Sequence, residues 1–364
     1  MNSPHEFAAI LAGLREALNG ATPGRAALAT LLSTRGPVFR RAGARMLVFA
    51  DGRTVRGLSA GCPEADIVTR ARRVIETGVA EIARYDHEQG LDVLLEMGCG
   101  GELEVLIEPV GNADLQAFEV VSGCLKQRHS GVLATVYARD GRCLRSRRWI
   151  DAGPVSFDGL DDPELSAAVR AAANPGDGSC RTVTLDVNGL RYDVLFEALQ
   201  PPLALTLIGI NATSIALTRL AQQLGWPSTL IAPRDPPLPA SDNAELAANV
   251  RRLCAAPDAV AALISTDARS AVVVMTHNLG LDQAYLAALR DVPLMYLGAI
   301  GARQRVERLR GELSLPDTDL RAPAGLDIGS ETPEEIALAI AAEIQAVAAG
   351  RSGEPLSASD RPIH

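Results

Sequence analysis

The chain has 364 residues, with 35 basic and 44 acidic side chains giving a formal charge of −9, and it is 47% hydrophobic and 22% charged. That length predicts two or three domains, each able to bury its own core, and that composition excludes extended disorder. The acidic balance removes the long-range attraction a duplex-binding surface uses, which argues against nucleic acid as the main partner. Lysine occurs once, at Lys126 and outside any Gly-x-x-x-x-Gly-Lys context, so no P-loop is present. No uninterrupted apolar run approaches the length of about 18 residues that a membrane span needs. The cysteines at 62, 99, 124, 143, 180 and 254 form no Cys-x-x-Cys pair. Zinc-ribbon and thioredoxin readings therefore fail, and the chain reads as a reduced, cytoplasmic protein.

Residues 1–20, with Glu6 and Arg15, read as an amphipathic helix rather than a secretion signal. From Arg25 to about Glu197, short apolar runs of strand type follow at 26–34, 44–50, 103–109, 131–138 and 191–198. Asp51-Gly52, Asp140-Gly141 and Asn188-Gly189 sit beside such runs and carry the tight-hairpin signal. One helix is expected to interrupt them, from Pro63 to about Thr77, with apolar residues at 67, 68, 71, 74 and 75. Residues 1–200 are thus expected to form an α+β domain with antiparallel pieces, ending at Gln200-Pro201-Pro202. Strands at 203–210, 228–233, 271–277 and 293–300 then alternate with helices at 213–225 and 282–290, and a last helix runs from Pro333 to about Ala349. This is the pattern of an α/β, Rossmann-like doubly wound parallel sheet over 203–350, with 351–364 a polar tail. No internal repeat or low-complexity tract is evident.

Two cysteines lie in glycine settings. Gly61-Cys62-Pro63-Glu64 opens the predicted helix, where unpaired N–H groups favour a thiolate, while Glu64 and Asp66 complement the dipole and oppose that shift. Gly98-Cys99-Gly100-Gly101 precedes a strand and suggests backbone packed closely against something large. The other four cysteines read as small core residues. In the second domain, Gly209-Ile210-Asn211-Ala212-Thr213-Ser214 keeps only the first glycine of a dinucleotide fingerprint, and Ala232 stands where the acidic ribose ligand belongs, which argues against NAD(P). His277 follows a strand at the carboxyl end where such sheets place ligands. Gly298 and Gly301, followed by Arg303, form a turn suited to an anion, and Gly325 and Gly329 flank Asp327 in a candidate ligand wall. Thr332-Pro333 with Glu335 is a capping box.

With these residues in view, the chain resembles the XdhC/CoxI family of molybdenum cofactor chaperones. The likeness lies in ALATLLSTRGPVFRRAGARMLVFADG (27–52), GLSAGCPEADIV (57–68), EMGCGGELEVLIEP (96–109), LTLIGINATSIALTRLAQQLGW (205–226), VVVMTHNLGLDQAYL (272–286), YLGAIGARQR (296–305) and APAGLDIGSETPEEIALAIAAEI (322–344). It implies a non-enzymatic protein that binds molybdenum cofactor, as molybdopterin or its cytosine dinucleotide form. A cysteine desulfurase would add the sulfido ligand, and an apo molybdenum hydroxylase of xanthine dehydrogenase, carbon monoxide dehydrogenase or aldehyde oxidoreductase type would receive the product. The resemblance further implies Cys62 as the molybdenum contact, glycine turns at 98–101 and 298–301 against pterin and phosphate, and Arg45 and Arg303 as phosphate partners. A homodimer is the default assembly. Two rival readings stand beside this one: an oxidoreductase using the Rossmann-like half, and a scaffold that recruits the desulfurase without touching cofactor.

Overall fold

The structure, a computed structural model, describes residues 4–19, 26–36, 38–58, 62–85, 101–174, 180–234, 250–313 and 320–358. The chain divides into two compact units, Met1–Pro201 and Pro202–His364. Among the described residues no helix is long and apolar enough to cross a membrane.

The first unit holds helices α1 (Pro4–Asn19), α2 (Cys62–Thr77), α3 (Asn112–Lys126) and α4 (Pro163–Ala172) and two five-stranded antiparallel sheets. Strands β1 (Ala26–Arg35), β2 (Arg45–Phe49), β3 (Thr54–Val55), β4 (Glu81–Tyr85) and β5 (Glu102–Pro109) form one sheet in the order β3-β2-β1-β5-β4. Strands β6 (Gly131–Arg139), β7 (Arg142–Ala152), β8 (Val155–Asp158), β9 (Cys180–Val187) and β10 (Leu190–Leu199) form the other in the order β8-β7-β6-β10-β9. Side chains alternate across a strand. Ala27, Ala29 and Leu31 of β1 therefore pack on α2 through Ile67, Ala71 and Val74, while Ala26 and Leu28 face α1 and α3. Leu133, Ile150 and Leu199 of the second sheet enter that same α1–α3 core, and Val132, Ala134 and Val136 on its other face pack on Leu165 and Val169 of α4. Both faces of each β1- and β6-type strand are buried, which is why these segments read as unbroken apolar runs.

Three expectations need correction. Two further helices, α3 and α4, interrupt the strands; the stripe Asp114, Ala117, Phe118, Val121, Cys124 and Leu125 is buried at helical spacing, and Asp162 caps α4 by accepting from Glu164 N and Leu165 N. Of the four cysteines read as core, Cys124 is buried, Cys143 and Cys180 are half-buried, and Cys254 is exposed at the end of an edge strand. Finally, the first unit does contain a repeat. Among the described residues the order helix, three strands, helix, two strands occurs twice, and β1 to β5 occupy the places in their sheet that β6 to β10 occupy in theirs.

The register of the two halves agrees residue by residue. Thr30 pairs with Arg45 across β1–β2 as Thr135 pairs with Arg148 across β6–β7, and Glu108 lies opposite Leu28 as Glu197 lies opposite Leu133. The two buried arginines exchange partners between halves. Arg45 binds both carboxylate oxygens of Glu197, one at 2.9 Å, and Arg148 binds Glu108 at 2.7 Å and also Asp114. Phe7 of α1 and Phe118 of α3 meet between them with ring centroids 5.8 Å apart, and the Arg45 guanidinium lies 5.1 Å from the first and 5.3 Å from the second. A charge is costly in a core unless it is paired, and here each is paired, hydrogen-bonded and stacked.

The second unit is a parallel sheet of β11 (Ala204–Ile208), β12 (Ser228–Ala232), β13 (Val250–Cys254), β14 (Ser270–Val274) and β15 (Tyr296–Ala299), in the order β13-β12-β11-β14-β15. Helices α5 (Ala212–Gln223) and α8 (Pro333–Ala348) cover one face, and α6 (Leu279–Leu289) and α7 (Arg303–Leu313) cover the other. The class is mixed α/β, antiparallel first and Rossmann-like second, as expected. The order reverses at β11, so the crevice where such sheets bind ligands opens between the carboxyl ends of β11 and β14.

Candidate functional site

Cys62 opens α2, and Pro63 follows at a position where its missing N–H costs nothing. One turn on, Asp66 accepts hydrogen bonds from the Tyr85 hydroxyl at 2.7 Å and from Arg70 Nε at 2.6 Å, and Arg70 also reaches Glu81 at 3.4 Å. Tyr85 is buried, and burial together with the Asp66 carboxylate pushes its phenol far above the ordinary range. It is also the last residue of β4, cross-strand from Leu103 of β5. The end of β4 is therefore pinned to the first turns of α2. Gly101 is buried just before β5. Glu64 covers the connection before the helix: a Cβ at Gly57 would stand 2.5 Å from its Oε1. Gly61, Cys99 and Gly100 lie outside the described residues, as do the side chains of Cys62 and Arg303.

Arg45 is placed otherwise than the resemblance implies. It is 6% exposed, and both terminal nitrogens are engaged by Glu197, so it holds the two halves of the first unit together rather than facing a phosphate. Its charge required a partner, and the tertiary fold supplies one 152 positions away in the chain.

In the second unit the Gly209 turn touches Met275 and Thr276, at the end of β14 just before His277. Gly209 has φ +115°, and a Cβ there would lie 2.5 Å from the Met275 carbonyl oxygen, so this glycine allows the β11–α5 turn to touch β14. Asn211, where a dinucleotide fold has its second glycine, donates to that same carbonyl at 2.9 Å and accepts from Ser214 N at 3.0 Å. An N–H that would meet a pyrophosphate is thus already satisfied, and a side chain bridges the crevice mouth. This geometry is not that of a pyrophosphate cradle.

His277 is exposed and has φ +58°, a conformation uncommon outside glycine. Its neighbours hold it there. The buried Asp282 accepts from Thr276 N at 3.1 Å and Thr276 Oγ1 at 2.5 Å, and pairs with Arg305 at 2.6 Å. Arg305 in turn reaches the His277 carbonyl at 3.4 Å. The glycines further on have packing reasons of their own. A Cβ at Gly298 would strike the Tyr296 ring at 2.6 Å, one at Gly301 would meet the Arg305 side chain at 2.9 Å, and Gly325, at φ +113°, donates its N–H to Glu343 at 2.8 Å. Asp327 is exposed nearby, and Thr332 caps α8 as expected. Asp66, Tyr85, Asp282 and Arg305 were not singled out as site residues by the sequence, because their roles rest on partners from other elements. Only Asp66, one helical turn after Cys62, carried a local signal.

Comparison with known proteins agrees with this architecture. Residues 205–344 match the XdhC Rossmann domain and residues 21–86 match the XdhC and CoxI family. A protein of Bacillus subtilis described as a probable subunit of xanthine dehydrogenase is 28% identical over 88% of this chain and 92% of its own length. The molybdenum cofactor insertion chaperone PaoD of Escherichia coli is 25% identical over 92% of this chain and 87% of its own. A crystal structure of a xanthine dehydrogenase from Bacillus halodurans shares the fold, with a TM-score of 0.76 at 23% identity over 99% of this chain and 98% of that one. With family models matching residues in both units, the chain belongs to the XdhC and CoxI family.

Proposed function

We propose that this protein carries molybdenum cofactor as cargo, holds it while a cysteine desulfurase supplies the sulfido ligand, and delivers it to an apo molybdenum hydroxylase. The observation that supports this most directly is the Asp66–Tyr85 hydrogen bond. It ties the helix that begins at Cys62 to the end of β4, the strand that precedes the Cys99 segment in the chain. A thiolate is a natural temporary contact for a metal already ligated by sulfur. PaoD, a relative along nearly the full length, is named for this insertion role. No turnover is assigned to the chain: its contribution is to bind, orient and shelter the cargo.

The test is retention. Wild-type protein mixed anaerobically with the molybdopterin form, released from a molybdoenzyme, should co-elute with molybdenum on gel filtration. Cys62→Ala should lose most of that metal while keeping its far-ultraviolet circular dichroism. Failure of the wild type to retain either cofactor form would overturn the proposal. Full activation of an apo-hydroxylase by the Cys62→Ala, Cys99→Ala variant would favour the scaffold reading instead.

A further inference from the structure

Open α/β sheets bind their ligands at the carboxyl ends of the strands, yet the second unit has a cavity at the other end. It measures about 260 Å³ and lies where β15 begins, between the last turns of α6 and α8. The Met295 N–H, which donates to the Ser270 carbonyl at 2.9 Å, marks that level, since Ser270 is the first residue of β14. Leu289, Val292, Leu294, Met295, Leu297 and Val347 give the cavity apolar walls. The charged residues in its lining are two arginines, Arg290 and Arg321, and no carboxylate stands among them. Apolar walls with a few convergent polar groups are the usual make-up of a small-molecule site, and this volume, just below the range of about 300–1,000 Å³ for drug-sized ligands, suits a smaller one.

Protein interiors are close-packed, so such a space needs a cause. Here it is the lean of one aromatic side chain. A Cβ at Gly298 would stand 2.6 Å from Tyr296 Cε1 and 2.9 Å from its hydroxyl. The Tyr296 ring therefore lies along β15 over Gly298, towards the carboxyl end of the strand and away from its start. Glu343 of α8 holds it there, its Oε2 accepting from the Tyr296 hydroxyl at 2.6 Å and from Gly325 N at 2.8 Å. Val347, one turn further along α8, lines the space that the ring leaves. The same carboxylate sets the state of Arg321. With Oε2 doubly engaged, Glu343 Oε1 stands 3.8 Å from Arg321 Nη1, well beyond the ~2.7–2.9 Å of a charge-assisted hydrogen bond. Glu343 thus steadies the half-exposed guanidinium beside the cavity without using up its fork of donors.

We propose that this cavity binds a small organic carboxylate, with a short chain or single ring against Leu289, Met295 and Val347 and its carboxylate on Arg321 and Arg290. A guanidinium matches a carboxylate in charge and in fork geometry, and the apolar walls favour a ligand with a hydrocarbon body over a bare inorganic anion. The site lies at the opposite end of the sheet from the crevice between β11 and β14, and it stands or falls independently of the cargo reading. The experiment is isothermal titration of the full-length protein with hexanoate and with benzoate, at least one of which should bind saturably. Arg321→Gln should weaken that binding about tenfold. Val347→Phe, which fills the space, should abolish it, and Arg308→Gln on α7 should leave it unchanged. If Val347→Phe loses its far-ultraviolet circular dichroism, the half-exposed Arg321→Gln decides alone. No saturable binding of either carboxylate to the wild type overturns the proposal, as does unchanged affinity in Arg321→Gln or an equal loss in Arg308→Gln. Hexylamine or inorganic phosphate binding as tightly as the carboxylate overturns it too, since the site would then read neither the negative charge nor the apolar body.

Discussion

At the scale of residues, the buried arginines show how position decides role. Arg45 and Arg148 occupy equivalent places in two sheets, and each finds its carboxylate in the other half. Removing one member of such a pair strands the other charge in the core, a loss of about 3–5 kcal/mol. Glu197→Gln should therefore lower the free energy of unfolding by about 3 kcal/mol or more, measured by urea denaturation; a change within about 0.5 kcal/mol would show that the pair bears no such load. Titration gives a second check. Burial pushes up the phenols of Tyr85, Tyr137, Tyr285 and Tyr296, and pushes the Cys143 thiol up to about 11. Folded-state values above unfolded ones mean that the native chain keeps protons which the unfolded chain gives up as pH rises. Stability is then fully present below the unfolded values and falls between about pH 8.5 and 11. The urea midpoint should drop across that window, and a flat midpoint would contradict the burial of these groups.

At the scale of elements, the two helix N-termini with chemical interest differ. The start of α5 is closed, since Asn211 satisfies Ser214 N and bridges to Met275. Isothermal titration with NAD(P)H should give no saturable heat, and micromolar saturation would revive the oxidoreductase reading. Asn211→Ala removes both a cap and a cross-strand tie and should cost about 1–2 kcal/mol, read as a lower melting temperature. The start of α2 is instead tied by Asp66 to the Tyr85 hydroxyl at the end of β4. How much of this was legible follows the same division. α2, β1, β11 and β14 announce themselves by local periodicity and burial. The edge strands β3, β4 and β9 do not, because their side chains are half-exposed and only the neighbouring strand completes them.

At the scale of the molecule, the first unit is built from two like halves that differ in the length of their connections. Its trace in the sequence is thin: Leu28-Ala29-Thr30 against Leu133-Ala134-Thr135, and Val105-Leu106-Ile107-Glu108 against Val194-Leu195-Phe196-Glu197. Such short apolar matches are common among buried strands, which is why no repeat is evident until the registers are compared.

The amino-acid sequence by itself determined the fold class, the sequence of strands and helices with strong periodicity, the motifs that place the chain in its family, and the damaged dinucleotide turn. These are local properties, set by side-chain spacing and by backbone conformations that glycine, proline and capping residues impose over a few positions. Tertiary structure alone decided that Arg45 is a core ion pair, that Asp66 of α2 is tied to Tyr85 of β4, and that the first unit repeats. Each depends on partners far apart in the chain, and burial makes those partners matter. A charge or hydroxyl withdrawn from water must be satisfied by whatever group the fold brings within about 3 Å, and residue order does not specify that group.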